Sequence, residues 1–232
     1  MAGLAGLATS AVGIAHQLLP RRFTVAQRRA IAAWEMERRW RALPAGTIFP
    51  AAVPYTLPAE KLLATSNLVL NARRLGISRA TRCTSAASGA AVRLLSDHGC
   101  TAALRATYAD SSDSLVATIT VAVMPSVSAA RTVVTDLPGP GTGQMVVRSL
   151  RIANTPAAKF GDADRQLSRT AYVGPYVILA TTGFTDAHQH LDIRDPYLNT
   201  EMTNLVKGLV QAASSTLGAP PPVPSCPGAP GC

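Results

Sequence analysis

Aromatic residues are scarce, at 5% of 232 residues, so any core has to be assembled from Ala, Val, Leu and Ile. Apolar types make up 47% of the chain, enough for one globular core. That length suits one domain of about 150 residues with a leader and a tail, and does not comfortably hold two full domains. Lysine is nearly absent, occurring only at Lys61, Lys159 and Lys207, so the net charge of +9 is carried by arginine. Arg-rich, Lys-poor usage is what a high-GC genome produces, and this accounts for the basicity without a function. The field still favours contact with anionic lipid, wall polymer or nucleic acid. The arginines are dispersed and, beyond the N-terminal helix, not interleaved with aromatics, so no nucleic-acid partner is expected.

Catalytic signatures are missing as well. No Gly-x-Ser-x-Gly elbow is present, which removes the usual hydrolase argument. The glycine-rich run from Pro138 to Gly143 is not followed by a Lys-Ser/Thr pair or a capped helix, so it is not a phosphate cradle. No Cys-x-x-Cys spacing occurs among Cys83, Cys100, Cys226 and Cys232, and no His lies near the last two, which argues against zinc. Four cysteines permit three connectivities. Local pairing, Cys83 with Cys100 around a helix-like stretch and Cys226 with Cys232 around a Pro/Gly loop, is the least demanding, and disulfides imply an oxidising compartment.

A run of about 20 apolar residues, the length that spans a bilayer, is also lacking. Residues 1–20 are instead a short membrane segment: Ala2 to Ala15 is uncharged, with no basic stretch before it. A start upstream of Met1 would repair both defects. Arg21 and Arg22 follow directly, a flank normally cytoplasmic, and so oppose the cysteines on orientation. The cysteines weigh more, because a missing leader would remove the competing charges.

What is present describes an α+β domain. Residues 21–58 hold an amphipathic helix and a Pro-rich connector, residues 59–218 the extracytoplasmic α+β domain, and residues 219–232 a Pro/Gly-rich tail. Thr24 and Gln27 form a capping-box pattern. Ala33, Met36, Trp40 and Leu43 share one face of the helix that follows, and Arg28, Arg29, Arg38, Arg39 and Arg41 lie elsewhere. Two readings stand: Trp34, Trp40, Arg38 and Arg39 form a membrane-interface stem, or the stripe packs on the domain and the arginines are solvated.

Pro44 to Pro58 is an extended connector or edge strand. Asn67 to Leu75 and Gly76 to Arg82 predict strands around a bend, and Cys83 to Gly99 a short helix with a Gly cap. Thr101 to Ala109 and Leu115 to Met124 alternate across a turn and predict a hairpin. A helix follows over Val127 to Leu137, opened by Ser126 or Ser128, then strands at Met145 to Ile152 and Ala171 to Thr182, and a closing helix at Asn199 to Leu217. The order implies a largely antiparallel sheet with helices packed on one face.

One constellation suggests metal chemistry. Asp186-Ala-His188-Gln-His190 resembles the Asp-x-His-x-His of amidohydrolases, and His-x-His on an extended segment presents two imidazoles to one side. In that family the motif opens a barrel of about 250 residues, and only 42 residues follow His190 here. Asp186, His188 and His190 therefore stand as weak metal candidates against a solvated loop, and no cofactor and no catalytic residue are predicted.

Trp34 to Pro50 (WEMERRWRALPAGTIFP), the Gly99-Cys100 pair, Leu104 to Tyr108 (LRATY) and the Cys226 to Cys232 tail resemble an uncharacterised family of actinobacterial membrane-anchored, extracytoplasmic cell-envelope proteins. The resemblance implies one N-terminal membrane segment and an external domain. The function expected is a non-enzymatic, membrane-tethered accessory or sensor domain, with an anionic membrane surface and an envelope protein or wall ligand as partners. The alternatives are a small metal-dependent or otherwise cryptic enzyme using His188 and His190, and a cytoplasmic basic protein that binds nucleic acid.

Overall fold

The computed structural model describes residues 23–59, 65–139, 144–188 and 196–219. Contacts divide the chain into two compact units, Met1–Glu35 with Pro221–Cys232, and Met36–Pro220. In the first, the described residues are 23–35. There the Thr24 amide is bonded by Gln27 Oε1 at 2.9 Å and the Gln27 amide by Thr24 Oγ1 at 3.2 Å, so the predicted capping box opens helix α1 (Val25–Ala42).

The second unit is α+β, as the sequence predicts. Six strands, β1 (Ala52–Leu57), β2 (Leu68–Ile77), β3 (Ala102–Ala109), β4 (Leu115–Val123), β5 (Arg165–Val173) and β6 (Tyr176–Phe184), form one sheet in the order β1-β2-β3-β4-β6-β5. Every neighbouring pair is antiparallel. Helices α2 (Ala45–Ile48), α3 (Cys83–Ala86), α4 (Ala90–Asp97), α5 (Val127–Asp136) and α6 (Pro196–Gly218) complete it.

Strand position follows from side-chain pattern. β1 buries Val53, Tyr55 and Leu57 and exposes the alternate residues, including Pro54, which an edge strand tolerates. The Pro44 to Pro58 segment is thus an edge strand entered through a single helical turn. β3 and β4 are buried along their whole length, and β6 up to its last residue, so these central strands are covered on both faces. On one face Leu104, Ile119, Val121 and Ile178 meet Met202, Leu205, Leu209 and Ala213 of α6. Gly208 lets that helix approach β1: a Cβ there would lie 3.1 Å from the Pro54 carbonyl oxygen. Met36 and Trp40 of α1, and Leu43 just after it, pack on the same cluster, which realises the packing reading of the stripe for these three residues.

The other face carries a second layer that the one-faced expectation leaves out. Ala103, Ala122, Val177 and Leu179 are covered by Ala86, Ala91, Leu95, Ala130 and Val133 from α3, α4 and α5. Small residues on these strands leave room for short helices there.

Four local expectations are corrected. The helix expected over Cys83 to Gly99 forms as two, α3 and α4, interrupted where Ala87 bridges Val147 and Gly89 takes a φ of +57°. The predicted bend in Asn67 to Arg82 is a bulge within the single strand β2, where the register shifts between Arg74 and Gly76. The strand expected at Met145 to Ile152 is an extended segment with one bridge, Ala87 to Val147, because it crosses the sheet face instead of joining a ladder. Ala171 to Thr182, read as one strand, is a hairpin turning at Gly174 with φ of +51°, and the polar stretch before it supplies β5. The β3–β4 hairpin, the Ser126-capped helix and the closing helix form as predicted. Among the described residues no helix is long and apolar enough to cross a membrane, and the apolar run of residues 1–20 lies outside them.

Candidate functional site

The second face is apolar only where α3, α4 and α5 cover it. Farther along the strands, its inward positions become Arg105 and Thr107 on β3, Thr118 and Thr120 on β4, and Thr181 on β6, all buried. The extended segment from Met145 to Ile152 crosses this polar ground. Leu150 is held on both sides, its amide donating to Thr118 Oγ1 at 3.0 Å and its carbonyl accepting from Thr107 Oγ1 at 2.7 Å. That crossing brings Arg148 and Arg151 beside Arg105 and forms a cleft of about 310 Å³ lined by Ser85, Arg105, Arg148, Ser149, Arg151, Gly161 and Asp162.

Each guanidinium is held by main-chain carbonyls. Arg105 Nη2 donates to the Arg148 carbonyl at 2.5 Å, Arg148 Nε to the Ala87 carbonyl at 2.9 Å, and Arg151 Nε to the Phe160 carbonyl at 3.3 Å. Behind them Arg165 donates from Nε to the Asp162 carbonyl at 2.6 Å and from Nη1 to Ser88 Oγ at 2.8 Å. Asp162 is the single carboxylate lining the cleft. Its Oδ1 accepts the Ser149 amide at 2.7 Å and the Ser149 hydroxyl at 3.0 Å, and its ion pairs with Arg148 and Arg165 are long, at 3.7 and 3.8 Å.

Arg105 is the unusual member. It is 7% exposed, its Nε has no hydrogen-bond partner among the described residues, and no carboxylate there forms an ion pair with it. Burial lowers its proton affinity, the Asp162 charge opposes that and the neighbouring Arg148 charge adds to it. Thr120 lies directly across the ladder and its hydroxyl is likewise buried and unbonded. Buried polar groups are rarely left so, and such exceptions call for an explanation.

The disulfide stands next to this cleft. Cys83 and Cys100 are bonded, with Cα atoms 6.2 Å apart, and Cys83 starts the helical turn that carries Ser85. Cys226 and Cys232 lie outside the described residues.

The residues singled out from sequence lie elsewhere. His188 and Asp186 meet through Nδ1 and Oδ1 at 2.6 Å on an exposed turn, with Phe184 edge-on to the imidazole at 6.0 Å. Desolvation raises the Asp186 carboxyl, but the hydrogen bonds and charge of His188 together outweigh it and draw that carboxyl below its usual range. His190 lies outside the described residues, and among them no group of three metal-ligating side chains is placed to hold an ion. In the first unit Trp34 is half-buried. In the second, Trp40 is half-buried with the Arg41 guanidinium 4.6 Å from its ring centroid, and Arg39 donates to the Leu217 carbonyl at 3.1 Å and to that of Ala219, capping α6. Arg38 is exposed beside Glu37 and Trp40.

Sequence reasoning did not find the cleft. The available signal was Arg105 at an inward position of a strand whose neighbours are small or apolar, since arginine is almost never fully buried without a partner. Compared with known protein families, with curated proteins and with solved structures, the chain gives no match.

Proposed function

We propose that this chain is a non-enzymatic accessory or sensor domain, tethered to the membrane on its extracytoplasmic side as in the actinobacterial envelope family it resembles, that binds a ligand in the arginine-lined cleft. The observation that carries the reading is a donor-rich cleft whose wall is stapled by Cys83–Cys100. A disulfide suits an oxidising compartment. Guanidiniums held by main-chain carbonyls are preorganised, so little side-chain freedom is lost when a ligand arrives. The cleft's one carboxylate already accepts two bonds from Ser149, so the lining is suited to holding an anion.

Intact mass of the protein taken from its native host without reductant, with and without thiol alkylation, tests the compartment. Cys83 and Cys100 refractory to alkylation until reduced is the result expected. Alkylation of both in the native protein would overturn the external location and favour a cytoplasmic basic protein.

A further inference from the structure

We propose that Arg105, Arg148 and Arg151 bind a phosphate group, carried by a small phosphomonoester or by a phospholipid headgroup; this deepens the reading above by naming the ligand class. Charge is the first support. Three guanidiniums and one carboxylate line the cleft, an excess of two positive charges that matches a phosphate dianion. Asp162 makes its ion pairs with Arg148 and Arg165, so that among the described residues Arg105 and Arg151 have no ion-paired carboxylate. Holding a guanidinium at 7% exposure with no ion-paired partner among the described residues, and only the nearby Asp162 charge to offset its burial, is costly unless a further counter-charge arrives.

Geometry is the second. Arg105 comes from the middle of a strand, and Arg148 and Arg151 from the segment that crosses it, so the three donors converge from two directions, as a tetrahedral group needs. A volume of about 310 Å³ exceeds what a lone carboxylate fills and leaves room for the organic part of a phosphomonoester. Gly161 is the third. A Cβ there would stand 2.6 Å from Arg151 Nη2, so the glycine lets that guanidinium approach the backbone at the cleft edge.

Isothermal titration of the full oxidised chain with inorganic phosphate and with glycerol 3-phosphate, and flotation with phosphatidylcholine vesicles with and without phosphatidic acid, tests this. Arg151→Gln is expected to weaken binding roughly ten- to hundred-fold, the worth of hydrogen bonds to a charged group. Gly161→Ala should weaken it in the same direction by displacing the tip of Arg151, the Asp164 Oδ2 at 3.1 Å from the new Cβ having to give by only a few tenths of an ångström. Arg73→Gln, an exposed arginine paired with Asp113 at 2.8 Å on β2, should change it by less than about twofold. Saturable binding of the soluble phosphates assigns a free phosphomonoester, and binding to phosphatidic acid vesicles alone assigns a headgroup; either supports the class. Equal binding by wild type, R151Q and G161A would overturn it. So would an equal loss in R73Q, which means general charge attraction, or citrate binding more tightly than either phosphate. Failure here with Cys83–Cys100 oxidised in the native protein removes the phosphate ligand alone, and free native thiols remove the envelope reading alone.

Discussion

Arg105→Met separates a residue kept for binding from one kept for stability. In the folded chain the guanidinium is 7% exposed, makes one hydrogen bond to the Arg148 carbonyl and leaves Nε unbonded. Desolvating such an ion costs several kcal/mol, and the bond returns about 1.5–3 kcal/mol. Methionine follows the same path with an unbranched apolar chain, and the Arg148 carbonyl, on an exposed residue, is left to water. The net expectation is a gain of about 1–3 kcal/mol, within the range found when buried ions are replaced by apolar groups. At about 2–4 °C per kcal/mol for a chain of this size, the melting midpoint rises by roughly 2–12 °C. Scanning calorimetry without reductant measures it, and a phosphate series in the same assay adds the second half. Wild type should climb as phosphate saturates it, by about 2.7 kcal/mol at a hundredfold excess over Kd, and R105M should not. A variant destabilised by about 2 kcal/mol or more would refute the reasoning, because Arg105 would then be a structural strut.

Three further outcomes follow from other parts of the molecule. Cys83→Ser should lower unfolding free energy by about 3 kcal/mol, since the bond closes a loop with a sequence separation of 17; urea melts with and without reductant read it, and reductant should not affect the variant. Asp110→Ala should cost about 2–3 kcal/mol in the same assay, because the buried carboxylate accepts the Leu115 amide at 2.7 Å and the Ser112 amide at 3.0 Å and so closes the β3–β4 turn. Burial holds the Glu201 carboxyl above its ordinary 4.5, against the Tyr55 hydrogen bond and with the Asp110 charge adding. The folded chain therefore keeps a proton that the unfolded chain releases, and this contribution, full below pH 4.5, is lost as pH rises through the folded value. Glu201→Gln, which keeps an acceptor for the Tyr55 hydroxyl now at 3.0 Å, should flatten that fall and be the more stable form at pH 7.

How legible the fold was depends on where each signal lived. The β3–β4 hairpin was readable because alternation in both strands and the Asp-Ser-Ser-Asp turn are local, and Asp110 and Asp113 perform the turn chemistry that the sequence advertises. The α5 cap at Ser126 and the closing helix are local in the same sense. The β5–β6 hairpin was not readable as two strands, because the β5 positions Arg165 to Ser168 read as a polar linker, although Arg165, Leu167 and Ser168 pair with β6 and Gln166, at the bulge between them, is buried. Met145 to Ile152 carried a strand composition but is claimed by side-chain bonds from Thr107 and Thr118, a tertiary override that no local pattern reports. The cleft was invisible for the same reason. Arg105, Arg148 and Arg151 are dispersed in sequence, and only the crossing of the extended segment over β3 makes them one site. The histidine motif showed the opposite error, a conspicuous local pattern whose described part, His188 with Asp186, is an exposed pair on a turn.

The most direct test of the account is a ¹H–¹⁵N titration that follows arginine Nε–Hε resonances while glycerol 3-phosphate is added to the oxidised chain. The account predicts saturable shifts at Arg105 and Arg151, with the Ser149 and Gly161 amides moving along the same curve and Arg73 still. Uniform small shifts across all arginines, or none at Arg105, would contradict it.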